Sequence, residues 1–188
     1  GTVLGVAIAV PLALLAARNV TRAWVRQVTR LGVNVVRAVP ELMWALLFVT
    51  AVGLGPIAGA LAIATATGAG LGRLFADIFE AADMSAWEAA RASGARKAQA
   101  ITWVLLPEQL PTMASYALLV LDANVRAASL LGLVGAGGIG LELTIRLRLF
   151  DYGKVSTILI VILVVVVELD QISSYLRRRL GWPSRGLG

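Results

Sequence analysis

Between Ala38 and Gly72 the only charged residue is Glu41. A helix needs about 20 apolar residues to cross the hydrocarbon of a bilayer. This run is long enough to cross twice, with the turn at Gly53-Leu54-Gly55-Pro56, where two glycines and a proline break helical geometry. A membrane leaves little choice of backbone, because every peptide group must find its partner inside the segment or inside a closed barrel. The second half of the run is rich in Ala, Gly and Thr (Ala58, Gly59, Ala60, Ala62, Ala64, Thr65, Ala66, Thr67, Gly68). Small residues let helix backbones approach closely, so this half is expected to sit among other helices rather than in lipid. Glu41, just after Pro40, reads as a solvated carboxylate at a helix start, with a gating role as the alternative.

The rest of the chain agrees. Of 188 residues, 59% are hydrophobic, and the mean hydropathy is +0.82; a soluble domain of this length could not hide so much apolar surface in one core. Cysteine and histidine are both absent. That removes disulfides, thiolate metal sites, thiol nucleophiles, the commonest general base and the commonest metal ligand. No catalytic and no metal-ligating residue is therefore expected. A net charge of +6 would suggest nucleic acid in a soluble protein. Here the arginines cluster beside apolar runs, which the excess of basic residues in cytoplasmic loops explains better.

Gly1 to Ala17 is apolar throughout, barely enough to span. With no initiator Met and no charged leader, it reads as a first visible span rather than a signal peptide, the natural chain starting earlier. Arg18, Arg22, Arg26, Arg30 and Arg37 follow with no acidic residue among them, four of them spaced by four. That is a basic stripe on a helix at the membrane surface, DNA binding being the alternative. A fourth span runs from about 110 to 130 and carries Asp122, Asn124, Arg126 and Ser129. Asp122 and Arg126 stand at i,i+4 with the acid first, the favourable order for an ion pair. They either neutralise each other at an interface or line a transport path, since ionisable groups at membrane depth usually face a cavity or a partner.

Gly135, Gly137, Gly138 and Gly140 lie in LLGLVGAGGIG. The G-x-G-x-x-G spacing formally matches a dinucleotide fingerprint, but that motif needs a strand–turn–helix unit, and no such pattern surrounds it. The glycines read instead as a broken or tightly packed helix whose backbone lines a cavity. After a mixed-charge connection (Glu142, Arg146, Arg148, Asp151, Lys154), Val155 to Val167 is nearly pure aliphatic and ends before Arg177-Arg178-Arg179 and Arg185. The expectation is one all-α integral membrane domain over 1–188 with about five transmembrane helices (2–17, 38–54, 56–74, 110–130 and 152–169). Residues 18–37 and 83–108 and the C-terminus then lie on the cytoplasmic side. Arg126, Arg146, Arg148 and Lys154 are the basic residues left outside.

The longest polar segment, Asp83 to Pro111, interrupts this pattern. Ser85-Ala86-Trp87-Glu88 predicts a capping box at a helix start, Gly94 a left-handed helix end, and 95–105 a second short helix. Pro107 is expected to push Leu106 out of helical geometry. By itself this is an amphipathic hairpin between two spans. Its spacing is more specific: Glu88-Ala89-Ala90, three residues, Gly94, nine residues, Val104, one residue, Leu106-Pro107.

That spacing resembles the "EAA" loop of the permease subunits of ABC importers, with Val104 where isoleucine is usual. RAVPELMWALLF from Arg37, NVRAASLLGLVGAGGIGLEL from Asn124 and FDYGKVSTILIVI from Phe150 are similar to the phosphonate-type branch of that family. The resemblance runs from Gly1 to Leu180, and the glycine segment is shared more loosely with methionine-type permeases. It implies a methionine-permease-like type I importer fold with a further N-terminal span. It also implies a coupling loop at 83–108 that docks a cytoplasmic ATP-binding subunit, an external substrate-binding protein, and a second permease subunit in the same bilayer. ATP and magnesium would be held by the ATPase partner, since no G-x-x-x-x-G-K-[ST] stretch occurs in these residues. The cargo implied is a phosphonate- or phosphate-type anion, another small solute such as methionine or an osmolyte being the alternative.

Overall fold

The computed structural model describes residues 1–179, and among them every regular element is helical. Arg185, read as part of the cytoplasmic basic terminus, lies outside the described residues. In chain order the α-helices are α1 (Thr2–Ala16), α2 (Ala23–Ala38), α3 (Glu41–Val52), α4 (Pro56–Ala81), α5 (Ser85–Ala92), α6 (Lys97–Ala100), α7 (Leu106–Leu131), α8 (Gly138–Arg148) and α9 (Tyr152–Arg179). A five-residue π-turn (Ile101–Leu105) joins α6 to α7, and a 3₁₀ turn (Gly132–Val134) follows α7.

Three helical stretches are long and apolar enough to cross a membrane: Pro56–Ala81, Lys97–Val134 and Tyr152–Arg177. A fourth candidate is the pair α2 and α3, bent by 88° at Val39-Pro40. Proline explains the bend. Its ring disfavours helical geometry at the residue before it, and Val39 is extended at φ −88°, ψ 122°. At 15 residues, α1 is a shorter apolar helix.

The small-residue helix lies at the centre, as its composition suggests. A side chain at Gly5 would meet Thr67 Cβ at 2.6 Å, and one at Gly72 would meet Leu12 Cβ at 3.1 Å, so α1 and α4 run nearly backbone to backbone. Leu71, Phe75 and Phe79 of α4 form an apolar cluster with Ala9, Ala13 and Ala16 of α1, Leu105 of the π-turn and Met113 of α7. A second cluster, nearer the start of α4, joins Ala62 and Ile63 to Ala45, Leu131 and Ala136. The turn between α3 and α4 stands where the sequence puts it, with Gly53 and Gly55 at φ +99° and +151°.

Three local expectations fail. Pro107 does not bend the chain at Leu106; α7 starts there and continues through Pro111. The wide π-turn just before it gives the proline ring room against the preceding carbonyls. The second short helix, expected over 95–105, is accordingly only Lys97–Ala100 before the backbone widens into that turn. Glu41 is not simply solvated either: its Oε1 is buried with no partner among the described residues.

Candidate functional site: the loop finger and the polar groups of the fourth span

The segment after α4 forms a finger that leaves the helix body. Ser85 is the first residue of α5 rather than its cap, and the Ser85–Glu88 capping box is absent. Asp83 takes the role instead. Its Oδ1 accepts the Ser85 backbone N–H at 2.9 Å, and hydrogen bonds from Ser85 hold this exposed carboxyl below the usual range. Two residues of spacing favour this Asx geometry over a serine already inside the first turn. The reach-back expected of Glu88 is found one helix later, where Gln99 Oε1 accepts the Arg96 N–H at 2.8 Å.

Gly94 ends α5 as the sequence predicts, at φ +89°. The Gly94 N–H donates to the Arg91 carbonyl at 3.1 Å and the Ala95 N–H to the Ala90 carbonyl at 3.1 Å. This pair of bonds is the Schellman arrangement, which satisfies the last carbonyls of a helix and needs a left-handed residue after it. Glu88, Ala89 and Gly94 are exposed; Ala90, Val104 and Leu106 are half-buried, and Pro107 is exposed. The finger therefore offers Glu88, Ala89 and Gly94 outward and uses Val104 and Leu106 at its base.

Two anchors escaped the motif. Trp87 turns inward and packs on the cluster containing Phe79 and Leu105, so an exposed helix is tied to both α4 and the root of α7. Asn19, in the turn after α1, donates from Nδ2 to the Phe79 carbonyl at 3.1 Å and to Met84 Sδ at 3.4 Å. Glu80 lies beside them. It accepts the Arg18 backbone N–H at 2.7 Å and pairs with the half-buried Arg30 guanidinium, which also donates to the Ala16 carbonyl at 3.0 Å. Arg30 is thus folded into the body, and the basic stripe is not uniformly a surface stripe. The signal lay in Glu80, an acid at the end of an apolar helix facing a run of arginines.

In α7 the structure divides the four polar residues. Arg126 Nη2 donates to Asp122 Oδ2 at 2.6 Å, the predicted i,i+4 pair. The Asp122 side chain is only 11% exposed and that of Arg126 is 55%. Asp122 Oδ1 is buried without a partner among the described residues. Asn124 faces the opposite way, because two residues along a helix turn a side chain by about 200°. Its Nδ2 donates to Thr67 Oγ1 at 2.8 Å and Thr2 Oγ1 at 3.0 Å, tying α7 to α4 and α1. Ser129 lies on the Arg126 side and lines a cavity of about 320 Å³ with Gly59, Ala136, Gly137 and Gly138.

The glycine segment reverses the chain between α7 and α8. Gly135, Gly137 and Gly138 all have positive φ. A Cβ on Gly140 would lie 2.1 Å from the Ser129 carbonyl oxygen and one on Gly132 2.4 Å from the Gly140 backbone, so α8 folds back against α7 with no room for a side chain. The Gly55 N–H donates to the Gly135 carbonyl at 3.1 Å, bringing the α3–α4 turn to the same end of the molecule. That end is opposite the Glu80 finger, at the other terminus of α4.

Residues 9–182 match the family described as binding-protein-dependent transport system inner membrane component. A phosphate-import permease protein of Mycolicibacterium smegmatis is 38% identical over 95% of this chain and 34% of its own length. A phosphite transport system permease protein of Stutzerimonas stutzeri is 40% identical over 95% of this chain and 65% of its own. The chain thus spans between about a third and two thirds of the length of these relatives. Among solved structures, a chain of the MetNI methionine ABC transporter in inward-facing conformations superposes with a TM-score of 0.80, covering 95% of this chain and 88% of that one at 22% identity. At that identity the likeness concerns the fold.

Proposed function

The chain belongs to the family of binding-protein-dependent transport system inner membrane components, and from that premise we propose that it is the permease subunit of an ATP-driven importer of phosphonate- or phosphate-type anions. It is a multi-pass membrane protein with a methionine-permease-like helical fold. The proposed home is the cytoplasmic membrane of a bacterium. The observation that carries the cargo class is the identity of 38–40%, over 95% of the chain, to permeases named for phosphate and phosphite.

In this reading the finger formed by α5 and α6 docks a cytoplasmic ATP-binding subunit through Glu88, Ala89, Ala90 and Gly94. A substrate-binding protein meets the opposite end, where Gly55 and Gly135 join, and a second permease subunit completes the pathway. ATP and magnesium belong to the ATP-binding partner. This chain's own part is mechanical. Trp87 and Leu105 share one apolar cluster with Phe79 and Met113, so a displaced finger carries α4 and α7 with it. Packed clusters shift between discrete arrangements rather than deforming continuously. The Glu80–Arg30 pair extends the same displacement to α2. Asp122, Arg126 and Ser129 form the proposed polar face of the path, and Asn124 holds that helix in place.

The test is uptake. Cells lacking their own phosphorus-anion importers, given this chain with its ATPase and binding protein, should accumulate labelled phosphonate, phosphite or phosphate, and the chain should co-purify with the ATPase. Uptake of labelled methionine alone would transfer the assignment to another cargo. Absence of the ATPase from the purified complex would end the transporter reading.

A further inference from the structure

The turn after α1 and the middle of α2 border an open cleft of about 540 Å³, lined by the polar side chains of Arg18, Arg26, Gln27, Arg30 and Asn34 together with Val28 and Leu31. Its charge is unbalanced. Glu80 is the carboxylate in reach; Arg30 occupies it, and the Arg18 Nε lies 3.7 Å from its second oxygen. Arg26 has no ion pair among the described residues. The cleft therefore holds a surplus of guanidinium charge with two side-chain amides beside it.

The adjoining flank of α2 is apolar and uncovered. Trp24, Val28, Leu31 and Val35 are each at least 60% exposed, and their spacing of four, three and four puts them in one line along the helix. The direction of α2 gives that line its meaning. Because α3 packs along α4 and α2 is bent from α3 by 88°, α2 runs across the direction of α4, the orientation of a helix at a bilayer surface rather than of the first half of a broken span. An in-plane helix with one basic flank and one apolar flank, the latter carrying a tryptophan, suits the boundary between headgroups and acyl chains.

We propose that this cleft is a binding site for one anionic phospholipid. The phosphate sits between Arg18 and Arg26, and the Gln27 and Asn34 amides take the headgroup or glycerol oxygens. An acyl chain lies along the Trp24–Val35 line. The site is separate from the finger and the α7 face, but because Arg18 and Arg30 also hold Glu80, an occupied cleft rests on the same ionic contact that joins α2 to α4.

The test is native mass spectrometry of the full chain in detergent, titrated with phosphatidylglycerol or phosphatidylcholine. Phosphatidylglycerol should be retained preferentially. Arg26→Gln should weaken its retention about five- to tenfold, the loss expected for one basic group at a membrane surface. Arg22→Gln removes the same charge just outside the cleft and should change little, and Arg26→Lys should keep part of the binding if the protein is folded. Millimolar inorganic phosphate should not displace the lipid, since it lacks the apolar half. Equal retention of the two lipids, equal losses in the two glutamine variants, or full displacement by phosphate would overturn the proposal. So would efficient disulfide dimerisation of a Leu31→Cys variant in membranes, which would give the apolar flank to a second copy of the chain.

Discussion

Arg126 is the residue whose meaning turns most on its surroundings. Its partner Asp122 is the more buried of the two, and one oxygen of that carboxylate has no hydrogen bond. If pairing were the whole role, removing both charges with Asp122→Asn and Arg126→Gln would leave transport near normal, because a neutral pair escapes the desolvation cost of two ions. The path reading expects the opposite. Arg126→Gln should lower uptake by at least about tenfold, in line with a lost charge-assisted hydrogen bond, and the added Asp122→Asn should not restore it. Arg126→Lys keeps the charge without the planar fork and should retain partial uptake. The measurement is initial uptake of labelled anion at matched membrane levels; full activity in the double variant would leave Arg126 a structural partner. Asn124 illustrates what spacing alone misses. It sits two residues from Arg126 in sequence, yet its amide is spent on Thr2 and Thr67 across two helix contacts.

At the scale of elements, the finger depends on one backbone turn. Gly94 sits at φ +89° with open space around it, so a larger side chain meets no wall there; its cost is conformational. A β-branched residue in the left-handed region should cost about 1–2 kcal/mol, enough to loosen the two bonds that end α5. On the proposed docking role, Gly94→Val should therefore weaken capture of the proposed ATP-binding partner while the chain still inserts, since a side chain at this position meets no neighbour. Glu88→Lys should do the same by reversing the charge offered on the exposed face. Pull-down of the ATPase beside a membrane-fraction blot checks both, and unchanged assembly with normal transport would remove the docking role. The start and end of α5 contrast instructively. Its end was legible because only one residue type suits that turn. Its start is ambiguous in sequence because Asp83 and Ser85 both suit a helix start; in the structure Ser85 is already inside the first turn and its N–H goes to Asp83.

For the whole molecule, the two ends of α4 organise the chain. The Glu80 end gathers the arginine turn, α2 and the finger; the Gly55 end gathers the glycine segment. The proposed topology places the first in the cytoplasm and the second outside. Because the chain has no cysteine, single cysteines report on this directly. Asp83→Cys should resist an impermeant thiol reagent in intact cells and react after permeabilisation, whereas Leu54→Cys should react from outside. Labelling of the Asp83 variant in intact cells would invert or break the arrangement.

By itself the sequence determined the solvent, the helical class, the centrality of α4, the left-handed turn at Gly94 and the Asp122–Arg126 pair. Each follows from a local rule: apolar length, small-residue content, the steric privilege of glycine, or a four-residue helical period. Tertiary packing alone places Arg30 against Glu80, anchors the finger through Trp87 and spends the Asn124 amide on Thr2 and Thr67. Those outcomes depend on which side chains from distant segments arrive at the same place. Residues 30 and 80, or 67 and 124, share no local pattern, and the packing of α2 and of α7 against α4 is what brings them within hydrogen-bonding reach.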